Sequence, residues 1–197
     1  DLAFSHDGYK MFVSFGGLQG GADDHAVYGY ELTSPYDIST CSYSDNKTTD
    51  LDGKLNGSLA GDDIAPADKV RLQGLDFNNN GTKMFLLFLG DGDVGGVARK
   101  ERLLEFNLST PYDLTDITLV QNAGINLTDS STFGNPFGMS FSKDGKRILF
   151  VDHNKRTIAQ ISLDVAFSTA SFTIDGTIVI RNIPTANVPV SYTHLTL

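Results

Sequence analysis

The sequence predicts an all-β fold of repeated four-stranded antiparallel sheets, and three observations predict it. A nine-residue pattern occurs three times: Phe4-Ser5-His6-Asp7-Gly8-Tyr9-Lys10-Met11-Phe12, then Phe77-Asn78-Asn79-Asn80-Gly81-Thr82-Lys83-Met84-Phe85, and more loosely Phe141-Ser142-Lys143-Asp144-Gly145-Lys146-Arg147-Ile148-Leu149. Each copy is followed by a further alternating apolar run, at 27–32, 103–108 and 158–163. Each of those runs ends at a turn-like stretch, Ser34-Pro35-Tyr36-Asp37, Thr110-Pro111-Tyr112-Asp113 and, diverged, Val165-Ala166-Phe167-Ser168.

In the nine-residue pattern an Asp-Gly or Asn-Gly pair separates two apolar runs of period two, which is a β-hairpin signal. Such a pair suits a type I′ turn, in which both central residues take positive φ. The third run alternates well enough to be a strand. Proline presets φ in the turn that follows, aspartate bonds the neighbouring backbone, and the aromatic between them is expected to fold back onto the sheet. Short fourth runs at 41–43, 117–120 and 171–174 complete each unit. Four short antiparallel strands per unit is the pattern of a β-propeller blade, whose faces stay apolar until neighbours stack on them. The blades are expected at roughly 1–45, 70–121 and 136–175 of a propeller segment spanning 1–190, with 175–180 opening a following blade. Closed propellers have four to eight blades, so three read as part of a larger or multi-chain ring. The last seven residues, 191–197, read as a non-native tail, like a translated sequencing adapter.

The 197 residues carry a net charge of −9. Nucleic acids and anionic membranes require a basic surface, so neither is expected as a partner. No run of 18 apolar residues is present to cross a membrane as a helix. Cys41 is the single cysteine, so there is no intrachain disulfide and no zinc site built on several thiolates. Core bulk comes from 13 Phe and 7 Tyr, without Trp.

Two connections carry insertions. Gly16-Gly17-Leu18-Gln19-Gly20-Gly21-Ala22-Asp23-Asp24 and Gly90-Asp91-Gly92-Asp93-Val94-Gly95-Gly96 stand where the third copy has a tight turn at Asp152-His153-Asn154. Long loops in a compact fold are where binding is expected. Asp91 and Asp93 have some look of a calcium loop. Counted as an EF-hand, however, positions five and twelve fall on Gly95 and Arg102, which supply no side-chain ligand there. What remains is a looser oxygen-ligand calcium site at Asp91 and Asp93, or at Asp23 and Asp24, set against a plain solvated acidic loop. The histidines His6, His25, His153 and His194 share no metal-type spacing, and no nucleophile-elbow, zinc-protease or phosphate-loop motif occurs. Asn-x-Ser/Thr sequons start at Asn46, Asn56, Asn80, Asn107 and Asn126, of which Asn46, Asn56 and Asn126 fall in expected loops. They are bystanders in a bacterial or viral product and acceptors in a secreted eukaryotic one.

Phe-Ser-x-Asp-Gly-x-Lys-Met-Phe, followed by a strand closing on Leu-Ser-Thr-Pro-Tyr-Asp-Leu, resembles the WD40-like β-propeller repeats of marine bacterial and phage proteins. The resemblance covers residues 1–175 and is weakest in the third copy, which lacks Pro-Tyr-Asp. It implies a non-catalytic structural or recognition protein of the tail-fibre or surface type, placed outside the cell, on its surface or on a virion. A protein or glycan receptor, or further copies of the chain in an oligomer or fibre, would be its partner. The rival class is a metal-dependent, lactonase-like propeller enzyme. It would need carboxylates on the innermost strands, where the comparable positions are Asp1, Gly74 and Gly138, and Ala3, Asp76 and Ser140.

Overall fold

A computed structural model describes residues 1–16, 25–48, 51, 70–90, 101–120, 124–127 and 132–180. Asp23, Asp24, Asp91, Asp93, Asn56 and the 191–197 tail lie outside the described residues. Blade 1 consists of β1 (Leu2–Phe4), β2 (Lys10–Gly16), β3 (His25–Leu32) and β4 (Cys41–Lys47). Blade 2 consists of β5 (Val70–Phe77), β6 (Lys83–Gly90), β7 (Arg102–Leu108) and β8 (Ile117–Leu119), with β9 (Ile125–Asn126) also paired to β7. Blade 3 consists of β10 (Pro136–Phe141), β11 (Arg147–Asp152), β12 (Thr157–Leu163) and β13 (Phe172–Val179). Each blade is an antiparallel sheet whose strands neighbour one another in chain order. A 3-10 turn spans Ile38–Thr40 between β3 and β4.

The strand period of two gives every blade two apolar faces. In β6, Met84, Leu86 and Phe88 join a core shared with Phe12 and Val27 of blade 1. Phe85 and Leu87, the intervening residues, join a second core shared with Ile148 and Phe150 of blade 3. β2 and β10 both lie against β5, so the blades stack side by side with their inner strands adjacent.

The hairpins form as expected, but with a different turn. The Gly8 N–H donates to the Ser5 carbonyl (2.9 Å), and the Ser5 N–H to the Lys10 carbonyl (2.9 Å). The loop is therefore four residues long, and only its glycine is left-handed, with φ of 76°, 70° and 68° at Gly8, Gly81 and Gly145. Asp7, Asn80 and Asp144 are not among the positive-φ residues, so the type I′ assignment is corrected. The longer loop wins because the residue two before the pattern's Asp also closes the turn: Ser5 and Ser142 donate their hydroxyls to Asp7 and Asp144 at 2.6 Å.

The aromatic of the second turn does pack back, onto the turn glycine. Tyr36, Tyr112 and Phe167 all have positive φ (59°, 61° and 53°), and each donates its N–H to the glycine carbonyl of its own blade. A Cβ on Gly81 would lie 2.3 Å from the Tyr112 ring, closer than any real contact. Phe167 does the same over Gly145 without the Pro-Tyr-Asp motif, which shows that the ring, not the proline, defines the device.

The outer strand of blade 3 departs from expectation. Residues 175–179 do not open another blade; they continue β13 past a bulge, with Ile158 opposite Ile178 and Thr157 opposite Val179. Asp175 is the extra residue of the bulge, and Gly176 after it is a glycine with φ 151°. Asn46 and Asn126 also lie in strands, not loops.

Adjacent blades are locked by one repeated contact. The Asn46 side chain of blade 1 donates Nδ2 to the Tyr112 carbonyl (2.9 Å) and accepts the Leu114 N–H on Oδ1 (2.7 Å). At the next joint, Lys83 Nζ donates to the Phe167 carbonyl (2.8 Å), while Glu105 Oε2 accepts the Thr169 N–H (2.8 Å). Phe167 and Thr169 are the counterparts of Tyr112 and Leu114. An amide in one joint and a Lys83–Glu105 ion pair (2.5 Å) in the other thus grip the same carbonyl and the same N–H of the next blade. Asn46 fits because Gly29 lies beneath it; a Cβ there would be 2.9 Å from its Nδ2.

Three outcomes follow from this architecture. Gly81→Ala should lower stability in urea by about 2 kcal/mol or more, combining left-handed strain with the ring clash. Gly176→Ala, whose Cβ would meet nothing within 4 Å, should cost only about 1 kcal/mol. At the joints, Asn46→Ala should cost about 2 kcal/mol by stranding two partly buried backbone groups, and Glu105→Ala about 3 kcal/mol by also leaving Lys83 without its counter-charge. Chemical denaturation would rank them; equal losses for Gly81→Ala and Gly176→Ala would contradict the ring contact. The third outcome is a pH dependence. The Ser5 and Ser142 hydroxyls, then the N–H groups of Tyr9 and Lys146, hold the Asp7 and Asp144 carboxyls below their ordinary value. Ser39 and Thr115 act likewise on Asp37 and Asp113. A carboxyl whose folded pKa is lowered contributes stability that is complete above its unfolded value, about 3.9, and is lost as pH falls through the folded one. Unfolding scans below about pH 4 should show the loss, small per group because these side chains are solvated. The paired variants Asp7→Asn and Asp144→Asn should flatten that acid limb, blade 2 already carrying Asn80 at this place.

Candidate functional site

The two rims of the stack differ. Four-residue hairpin loops and the turns at Tyr36, Tyr112 and Phe167 occupy one rim. At the other, β2, β6 and β11 end and β3, β7 and β12 begin, and the inner strands β5 and β10 start beside them, Val70 opposite Gly90 and Pro136 opposite Asp152. The connections 17–24 and 91–101 therefore arise at the same rim as the linkers entering β5 and β10. Sequence reading marked these segments as candidate binding loops; the topology brings their ends together. The side chains of Asp91 and Asp93 lie outside the described residues.

Where the loops are anchored, the rim carries ionisable groups held by backbone. In blade 3 the buried Asp152 accepts the N–H groups of Gly134 (2.6 Å) and Asn135 (2.8 Å) on Oδ2 and that of Lys155 (2.8 Å) on Oδ1. One carboxylate thus fixes both the linker entering the blade and the turn between β11 and β12. Asp152 and His153 are neighbours at the tight turn of the third copy. The structure separates their roles, with Asp152 buried in its backbone cage and His153 exposed against the Phe137 ring at 5.5 Å. In blade 2, Arg102 is buried at the start of β7 and donates to the Glu101 carbonyl (3.2 Å) and to Asn126 Oδ1. In blade 1, Thr48 Oγ1 accepts the Val27 N–H at 2.9 Å.

The inner-strand carboxylates that a channel-centred enzyme would use are engaged across the joints. Asp1 Oδ2 accepts the Leu75 N–H (3.0 Å), and Asp76 Oδ2 accepts the Phe141 N–H (3.0 Å). Each belongs to one blade and holds the inner strand of the next. Among the described residues no three His, Cys, Asp or Glu side chains come together as a metal-binding group. The joint residues Asn46, Lys83 and Glu105 escaped sequence reading, because an amide at one joint and an ion pair at the other leave no shared motif.

No protein-family model and no curated relative matches the sequence. Solved structures do match in fold. A crystal structure of a protein from Lactobacillus plantarum superposes with a TM-score of 0.51 at 13% identity, over 91% of this chain and 41% of that one. A candidate 6-phosphogluconolactonase from Bacteroides fragilis superposes with a TM-score of 0.51 at 13% identity, over 91% of this chain and 38% of that one. The chain spans about two fifths of the length of these structures. At this identity the likeness is one of fold alone, and with the three stacked four-stranded sheets it makes the chain an all-β protein of the β-propeller type.

Proposed function

We propose that the chain is a non-catalytic structural and recognition module, displayed outside the cell or on a virion, that contacts a protein or glycan through the loops of its long-connection rim. The convergence of two inserted connections and two inter-blade linkers at that rim carries this reading. Its support is that Asp152 at this rim, and Asp1 and Asp76 on the inner-strand side of the joints, serve backbone N–H groups. A carboxylate engaged in this way holds backbone in place; it is poorly placed to take a proton from a substrate.

A second reading is a lactonase-like enzyme, favoured by the fold likeness to the candidate 6-phosphogluconolactonase. Its acids and bases would have to come from residues other than these three.

Glycan arrays and binding to intact cell surfaces test the first reading. Replacing 17–24 and 91–96 together by short Gly-Ser bridges should weaken binding by about tenfold or more while the β-sheet circular dichroism is kept. Unchanged binding would overturn the loop assignment. Hydrolysis of 6-phosphogluconolactone or other lactones above the buffer rate, lost in the same loop variant, would establish the enzyme reading instead.

A further inference from the structure

The joint formed twice inside the chain leaves its two halves exposed at the ends of the stack. In blade 3, Leu149, Val151 and Ile158 stand at the register positions of Phe85, Leu87 and Leu103 in blade 2, which are all fully buried against blade 3. Here Val151 is exposed, Leu149 and Ile158 are only half-buried, and Ile178 beside them is 66% exposed. Gln160 occupies the place of Glu105, next to Asp175, to which it donates at 2.6 Å. Its carboxamide combines a donor and an acceptor on one group, as that of Asn46 does in the first joint.

Blade 1 exposes the receiving half. Phe15, the counterpart of the buried Phe88, is 64% exposed. Ile38 is the counterpart of Leu114 and Thr169, the residues whose N–H groups are gripped in the formed joints. It is 67% exposed, against 0% and 1% for them. Met11 and Val13, at the places of Met84 and Leu86, are half-buried.

We propose that two copies of this chain join head to tail, the open face of blade 3 in one receiving the open face of blade 1 in the other. The argument is continuity with an interface the chain already builds twice. Leu149, Val151 and Ile158 would cover Met11, Val13 and Phe15, and the Gln160 amide would grip the Tyr36 carbonyl and the Ile38 N–H. Such a contact is heterologous, so it closes only as a ring. Two chains of three blades give a blade number within the range of closed propellers. The inference is independent of what the loops bind.

Sedimentation velocity of the 197-residue chain across the micromolar range should show a two-chain species. Ile38→Asp and Ile158→Asp should each raise its dissociation constant by about 30-fold or more; circular dichroism and urea unfolding would confirm that the variants stay folded. A crosslinking arm reads the geometry without relying on apolar replacement. In a Cys41→Ser background, Ile38→Cys and Gln160→Cys chains mixed under oxidised glutathione should form a disulfide between the two kinds, and neither kind should pair efficiently with itself. A chain that remains monomeric throughout overturns the proposal. A dimer that crosslinks only like positions overturns it too, because each face would then meet its own copy.

Discussion

The structure depends on how a blade with two greasy faces is held in register against its neighbours. Burial of Phe12, Phe85 and the residues around them supplies the driving force, at roughly 25 cal/mol per Å² of apolar surface. That force has no direction, and by itself would let sheets slide or rotate on one another. Direction comes from a few polar contacts at the edges of the greasy surface. The carbonyl and N–H of one turn are gripped by the preceding blade, and an inner-strand N–H is held by Asp1 or Asp76. Each contact satisfies a backbone group that stacking would otherwise desolvate, so register and stability come from the same bonds.

The same arrangement separates the two rims. At the hairpin rim nearly every residue is committed: glycine to its left-handed φ, the aromatic to the glycine, aspartate to serine, and the turn backbone to the neighbouring blade. Little freedom is left there for variation. The opposite rim has only to bring strand ends together, and Asp152 and Arg102 do so with buried side chains. Inserted loops are therefore tolerated on that side alone, which is why the length differences between repeats collect there.

Much of the fold was legible in the sequence. The three hairpins, the third strands and the all-β class follow from period-two alternation and the repeated Asp-Gly or Asn-Gly pair. The details that failed did so for physical reasons. Asp-Gly satisfies a two-residue turn and a four-residue loop alike, and the choice lay with the serine two positions earlier. Residues 175–180 looked like the opening strand of a further blade, yet a bulge absorbs Asp175 and leaves Ile178 in β13. Asn46 looked like a loop sequon, whereas its amide is the link to blade 2. The joints themselves were hidden because they act through the backbone of the receiving turn. Backbone groups carry no residue identity, and the gripping side chains converge from different strands, Asn46 from β4 and Lys83 with Glu105 from β6 and β7. The carboxylates of the inner strands were visible by position, but their engagement with the next blade's N–H groups appears only in three dimensions.

Amide hydrogen exchange at two residues tests the central claim most directly. If the joints hold the blades, the N–H groups of Leu114 and Thr169, though they lie in turns, should exchange as slowly as those in the middle of β7, and Asn46→Ala should accelerate Leu114 while leaving Thr169 protected. Exchange of both at the rate of freely solvated turn amides in the unsubstituted protein would contradict the account.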